Sequence, residues 1–369
     1  MSARIVAAAE SPYTRHPTPE TTTEALLADA FRRVLAASGL EREAVDGLGV
    51  ASFTLQPDHV ADLVWRLGLR AQWLMEDTNG GAAALNMLQH AVRAVEAGDA
   101  HTIVLLAGDH FDRESFCQLV NNYNRATATY LAPIPFGGPN ALFALLTRRH
   151  MAAHGLGRED YGRLVITQRR WAQSNPGAVY REPLTLEEYL AAPVVVDPLH
   201  RFDCAPVVSG ANAIVVTDAD HGVAVRALRA LNNSDGQEGD GLQTGIRSIA
   251  DDLWETAALG PEDVDAAYVY DDYPAIALIQ LDELGLIPRH DLARFLRENS
   301  LPVNTSGGQL SAGQAGAAGG MHGLVEAVQQ LLGRAGDRNI DARRAVVSGY
   351  GMVLYRYGAC SNAAVLETT

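Results

Sequence analysis

GGMHGLVEAVQQLLGRAGDRNIDARRAVVSGYG, residues 319–351, opens on two glycines, runs into an Ala- and Leu-containing helix, passes Ala-Gly-Asp and ends in an apolar strand closed by glycine. GGAAALNMLQHAVRAVEAGDAHTIVLLAGDH, residues 80–110, has the same plan with nearly equal spacing. A helix with small or apolar residues on every face has to be buried all round. The strands IVLLAG and AVVSGYG run apolar without alternation, which marks strands covered by helices on both faces. A second pair repeats in the same way: EALLADAFRRVLAASGLEREAVDGLGVAS (24–52) and SIADDLWETAALGPEDVDAAYVYDD (248–272) each read as amphipathic helix, acidic linker and small apolar strand. The chain therefore reads as two halves of similar plan in α/β/α/β/α layers. Helices 80–97 and 317–333 are expected back to back between two five-stranded sheets.

Between the repeats, ANAIVVTDADHGVAVRALRAL (211–231) reads as a strand pair and NNSDGQEGDGLQTG (232–245) as a polar, Gly-rich loop. The halves are accordingly placed at 1–231 and 232–369. Residues 112–200, rich in Tyr, Pro, Arg and Asn, break the pattern and are expected to form a loop subdomain covering the site.

Composition narrows the function. The 369 residues are 47% hydrophobic with a formal net charge of -15, enough apolar material for a large core. The charge repels nucleic acid and anionic membranes. All 29 basic residues are arginine, so Schiff-base chemistry on lysine is excluded. Three scattered cysteines, Cys117, Cys204 and Cys360, imply neither a disulfide framework nor a zinc site. No apolar run approaches the roughly 20 residues of a membrane span. With no charged-then-apolar leader before ARIVAAAESPY, the expected location is the cytoplasm. DPLHRFD (197–203) and GDHFD (108–112) each bring a His near two carboxylates, but read as turns, and no metal is expected.

NTSGGQLSAGQAGAAGG, residues 304–320, leads into the second double glycine with six glycines, four alanines and no charge. Bare backbone at a helix N-terminus can stabilise an oxygen carrying negative charge, or can simply allow close packing. Neither the lysine of a phosphate loop nor a dinucleotide fingerprint is present.

The loop resembles the thiolase-superfamily pattern Asn-x-x-Gly-Gly-x-x-x-x-Gly-His-Pro-x-Gly-Ala-x-Gly. YDDYPAIALIQLDELGL resembles the family's His-Asp-x-Phe or Asn-Glu-x-Phe motif, and VVVDPLHRFDCAPVVSGANAIVV its Asp-Pro-Leu segment. The resemblance spans essentially the whole chain, is nearest to sterol-carrier-protein-type thiolases, and implies the duplicated five-layer fold. It also implies a homodimer paired through the strand HTIVLLAG.

The departures from the pattern bear on chemistry. Thr78 or Asn79 stands where the family has its nucleophilic cysteine, Gln314 and Ala315 replace His-Pro, and Val347 and Tyr350 stand near the second cysteine. A threonine without a base is a poor nucleophile, and glutamine accepts no proton at neutral pH. Tyr350, between two glycines, and Tyr270 are the candidate proton-bearing groups, the alternative being aromatic plugs. Asp271 and Gln314 join them in the candidate catalytic set; of Asp271 and Asp272 one is expected to hydrogen-bond backbone and the other to be solvated, and His322 is either a catalyst or a packed histidine. Asn304, Gly308, Gly313 and Gln314, with Thr78 and Asn79, are the candidate oxyanion-hole residues. Arg169 and Arg170 are expected to bind the phosphates of coenzyme A.

One branch of the superfamily, the thiolase-like steroid side-chain-cleaving aldolases, lacks the nucleophile and works with an OB-fold, zinc-ribbon partner. The resemblance implies a retro-aldol lyase acting on a β-hydroxyacyl-CoA, with no bound cofactor and with acyl-CoA as substrate. The alternatives are an acyltransferase with a displaced nucleophile and a non-catalytic acyl-CoA- or lipid-binding scaffold.

Overall fold

The computed structural model describes residues 2–368 except 19, 135–137, 235, 237, 299–300 and 355–356. The first half consists of β1 (Ala3–Glu10), α1 (Thr23–Ser38), β2 (Gly47–Ala51), α2 (Val60–Leu67), β3 (Trp73–Glu76), α3 (Ala83–Ala97) and β4 (Thr102–Asp109). A covering region follows, with α4 (Arg113–Asn122), α5 (Pro139–His154), α6 (Arg158–Gln173), α7 (Leu186–Ala191) and the hairpin β5 (Val194–Val196) and β6 (Leu199–His200). β7 (Gly210–Asp218) returns to the first half. The second half has β8 (Val223–Asn232), α8 (Ile246–Ala257), β9 (Ala266–Tyr268), α9 (Pro274–Glu283) and α10 (Leu292–Glu298). It ends with α11 (Gly308–Ala312), α12 (Gly319–Leu331), β10 (Arg344–Leu354) and β11 (Tyr357–Thr368).

The duplication is visible in the strand order, β3-β2-β4-β7-β1 followed by β8-β11-β10-β9. In the first half β3, β2 and β4 run parallel, and β7 and β1 add antiparallel strands. In the second, β9 and β10 are parallel, with β11 and β8 antiparallel beyond them. The two ladders are connected by the single pair Ile5–Val223.

The expected pair of five-stranded sheets is one nine-stranded sheet of five plus four strands, pinched at that pair. The tenth position, beside β9, is held only by an isolated bridge from Val303 to Ala267, because the flanking Pro302 donates no N–H. β8 pairs along its length with β11. Two residues of the 232–245 loop, 235 and 237, lie outside the described residues.

Layering follows from which faces are apolar. α1 and α2 pack on one outer face and α8 and α9 on the other, while α3 and α12 share a core with strands of both ladders. The double glycines make that middle layer possible. A Cβ on Gly320 would lie 2.5 Å from the Gly81 carbonyl oxygen, so the two helical N-termini cross backbone on backbone. Beside them, Glu326 of α12 accepts from Thr305 and from the Arg338 guanidinium, tying the 303–306 loop to the central layer.

The covering region is mostly helical rather than loop. The homodimer expected through the edge of β4 has no edge to use, since β2 and β7 occupy both sides of that strand. β3 is the outer strand of the first half. Among the described residues no helix is long and apolar enough to cross a membrane, and no group of three His, Cys, Asp or Glu side chains could hold a metal ion.

Candidate active site

A cavity of about 240 Å³ lies where the two halves meet. Its floor is backbone and phenol: Gly80 and Gly81 just before α3, Tyr350 and Gly351 on β10, and Tyr270, Asp272 and Tyr273 between β9 and α9. Cys204, Ala205 and Val207 form one wall, and Gln314 and Gly316 another. Phe116, Leu119 and Val120 of α4, Tyr123 just after it, and Phe143 of α5 make an apolar cover.

The tyrosines are fixed. Tyr270 accepts a hydrogen bond from Gln314 Nε2 at 2.7 Å, which leaves its own O–H to donate. Burial, then the Asp272 carboxylate, push its phenol well above the ordinary value. Tyr350 is 1% exposed and its hydroxyl accepts the Gly358 N–H; its ring lies 6.4 Å from that of Tyr270. Tyr273 donates to Asn140 at 2.6 Å and stacks on Phe143. Gln314 is itself held at both backbone ends, by Pro206 and Val208.

The two neighbouring aspartates separate, Asp272 lining the cavity and Asp271 the cleft behind it. Asp271 turns away from the cavity and accepts Gln168 Nε2 at 2.8 Å and the Gln309 N–H at 2.9 Å; burial raises its pKa to about 6 against the pull of that amide. Asp272 faces the cavity beside Tyr270.

Several sequence-derived candidates are not at the cavity. Asn304 spends both ends of its amide on the backbone of Val269. Gly308 has φ +60, and a Cβ there would sit 2.0 Å from the Asp271 carboxylate. Gly313, at φ +114, forms the turn that presents Gln314. Asn304, Gly308, Asp271 and His322 line a separate cleft of about 10 Å³. His322 is 2% exposed and bonded to Ser306 at 2.8 Å and Glu10 at 2.9 Å. Burial opposes its charge, but Glu10, Asp271 and Glu326 together raise its pKa, and it pairs with Glu10 away from the cavity. Thr78 is exposed, and the Asn79 amide donates to Asp77; the residues that reach the cavity at this helix start are the side-chain-free Gly80 and Gly81.

Arg169 does not offer a fork to phosphate. It is 3% exposed, bonded to Ser311 and packed over Tyr180 and Phe202, and only Arg170 of the pair is exposed.

One residue was missed. Asp109, buried at the end of β4, accepts from Ser52, Phe53, Thr54 and Ala317 and so anchors the turn at Gly316; burial raises it to about 6. Cys204 does reach the cavity, but burial, then Asp203 and Asp272, push its thiol up to about 12. A thiol held protonated without a base is a weak nucleophile.

The duplicated layers and a cavity of phenols in place of a nucleophile and base define a thiolase-type protein altered at its reactive residues. Residues 230–365 match the family model described as thiolase C-terminal domain-like. The chain is 30% identical, over 84% of its length and 86% of the relative's, to the 17-hydroxy-3-oxo-4-pregnene-20-carboxyl-CoA lyase of Mycobacterium tuberculosis. It is 29% identical, over 88% and 89%, to the steroid side-chain-cleaving aldolase of Thermomonospora curvata. A solved Ltp2-ChsH2(DUF35) aldolase superposes with a TM-score of 0.84 at 26% identity, covering 100% of this chain and 98% of that one. The chain belongs to the thiolase superfamily, and within it resembles the aldolases.

Proposed function

We propose that the protein is a carbon–carbon lyase that cleaves a β-hydroxyacyl-CoA by a retro-aldol reaction. The observation that carries this reading is the cavity lining: phenols, a carboxyl and an amide, with no activated nucleophile. Retro-aldol cleavage needs a group to take the β-hydroxyl proton and donors to hold the thioester enolate, but no covalent intermediate. Tyr350 donates a hydrogen bond that positions the β-oxygen. Tyr270, oriented by Gln314, donates to the thioester oxygen. The phenylalanines and aliphatic side chains of the cover suit an apolar acyl group. The names of the two relatives support a steroid-type CoA thioester, and the solved aldolase, with its DUF35 component, supports an OB-fold, zinc-ribbon partner.

The reading has a direct competitor in acyl transfer through a displaced cysteine, and Cys204 decides between them. Cys204→Ser is expected to retain kcat within about threefold, since a protonated thiol contributes packing rather than chemistry. Intact mass after incubation with 17-hydroxy-3-oxo-4-pregnene-20-carboxyl-CoA should show no acyl adduct. An adduct at Cys204, with activity lost in the serine variant, would favour the acyltransferase.

A further inference from the structure

We propose that Asp272 is the catalytic carboxylate that takes the β-hydroxyl proton and returns it to the α-carbon, an assignment that rests on the lyase reading above. Asp272 is the only carboxylate among the described residues that line the cavity. Its Oδ1 is buried and has no hydrogen-bond partner among the described residues. Buried acceptors in folded proteins are almost always paired, so an unpaired oxygen on a residue that lines a ligand-sized space leaves this carboxylate able to take a donor from a ligand. Its position is fixed from behind, where the Asp272 carbonyl accepts the Ala205 N–H at 3.2 Å.

The surroundings suit proton exchange. Tyr270, Asp271 and Tyr273 adjoin Asp272 on its own segment, and Tyr123, just after α4, and Cys204 are the titratable groups coupled to it from elsewhere in the chain. None of these is a cation. Burial, then the charge of Asp271, hold the Asp272 carboxyl well above the usual carboxylate range, against the pull of the Tyr273 amide. The same burial pushes Tyr123 and Cys204 each to about 12 and Tyr270 and Tyr273 well above an ordinary phenol. Burial thus moves the carboxyl toward neutrality and these other groups away from it, and a catalytic base works best with its pKa near the operating pH.

The reaction balances on this one group. The Asp272 carboxylate removes the β-hydroxyl proton, and the oxygen's electron pair forms the new carbonyl. The Cα–Cβ bond breaks, and its pair passes to the thioester oxygen as an enolate held by Tyr270. The enolate collapses as the Asp272 carboxyl protonates Cα, which releases a shortened CoA thioester and restores the carboxylate. No oxidant, reductant or co-reactant is needed.

The test is Asp272→Asn, which keeps the shape of the side chain, introduces an amide donor and removes ionisation. With 17-hydroxy-3-oxo-4-pregnene-20-carboxyl-CoA as probe, kcat should fall at least about 100-fold while KM stays within about threefold. Wild-type kcat should rise with pH to a plateau, and the residual activity of the variant should lack that limb. A native pKa raised above the unfolded one means that the stability contributed is full below the unfolded value and lost as pH rises through the folded one. The variant should therefore melt above wild type at pH 8 and lose that advantage in acid. A second readout needs no variant: wild type should exchange the α-proton of the shortened acyl-CoA product with D2O along the same pH limb. Activity of Asp272→Asn within tenfold of wild type, a wild-type kcat that falls across the limb, or absence of α-proton exchange would each overturn the assignment. Wild type that cleaves alongside an equally active variant sinks Asp272 alone, whereas wild type that leaves the probe intact removes the lyase reading with it.

Discussion

Tyr350→Phe should lower kcat by about 100- to 10,000-fold, the range that positioned proton-bearing groups contribute. The substitution keeps the ring, which covers Gly358 so closely that a Cβ there would lie 2.5 Å from it, and removes only the hydroxyl. That hydroxyl also accepts the Gly358 N–H. The variant therefore leaves a buried donor unpaired, at a cost of about 1–3 kcal/mol, and the melting temperature should fall modestly. The two effects separate when kcat is measured on protein shown to be folded by circular dichroism at the assay temperature. A folded variant with full turnover and a lowered melting temperature would make Tyr350 a clamp on the β10–β11 hairpin and nothing more.

Gly81→Ala should damage both tyrosines at once. A Cβ at this position would lie 2.2 Å from the Tyr350 carbonyl oxygen and 2.3 Å from the Tyr270 ring, and contacts that close force neighbouring atoms to move. Overpacking of this kind costs about 1–3 kcal/mol. Displacing a reacting group by about 1 Å can cost about 100-fold in rate, and kcat/KM should fall on that order. Since Tyr270 carries the hydrogen bond from Gln314, the loss should appear mainly in kcat. Unchanged kinetics would mean that the approach of the helix start to the tyrosines has no bearing on turnover.

The doubled architecture could be read from the chain because it is written twice. Gly-Gly, apolar helix, Ala-Gly-Asp and apolar strand recur at residues 80–110 and 319–351, and such helices have only one kind of place to go. What escaped was the fifth strand of the second half, since whether Val303 forms a ladder or one bridge depends on the register beside β9. The site was legible in part. Tyr270, Tyr350 and Gln314 line the cavity, while Asn304, Gly308, Asp271 and His322 belong to the cleft behind it. A motif gives an order of residues but not the side of the loop on which each one falls. Arg169 was placed on the surface in error for a different reason, because a guanidinium that stacks on Tyr180 and Phe202 reads in sequence like any free surface cation.

The most direct test is product analysis by mass spectrometry after wild-type protein, alone and together with a DUF35-type partner, is incubated with 17-hydroxy-3-oxo-4-pregnene-20-carboxyl-CoA. The expected result is a ketone at the carbon that bore the hydroxyl and an equal amount of shortened CoA thioester, without any acylated protein. Intact substrate under both conditions, or release of free CoA with the carbon skeleton unbroken, would contradict carbon–carbon cleavage at this site.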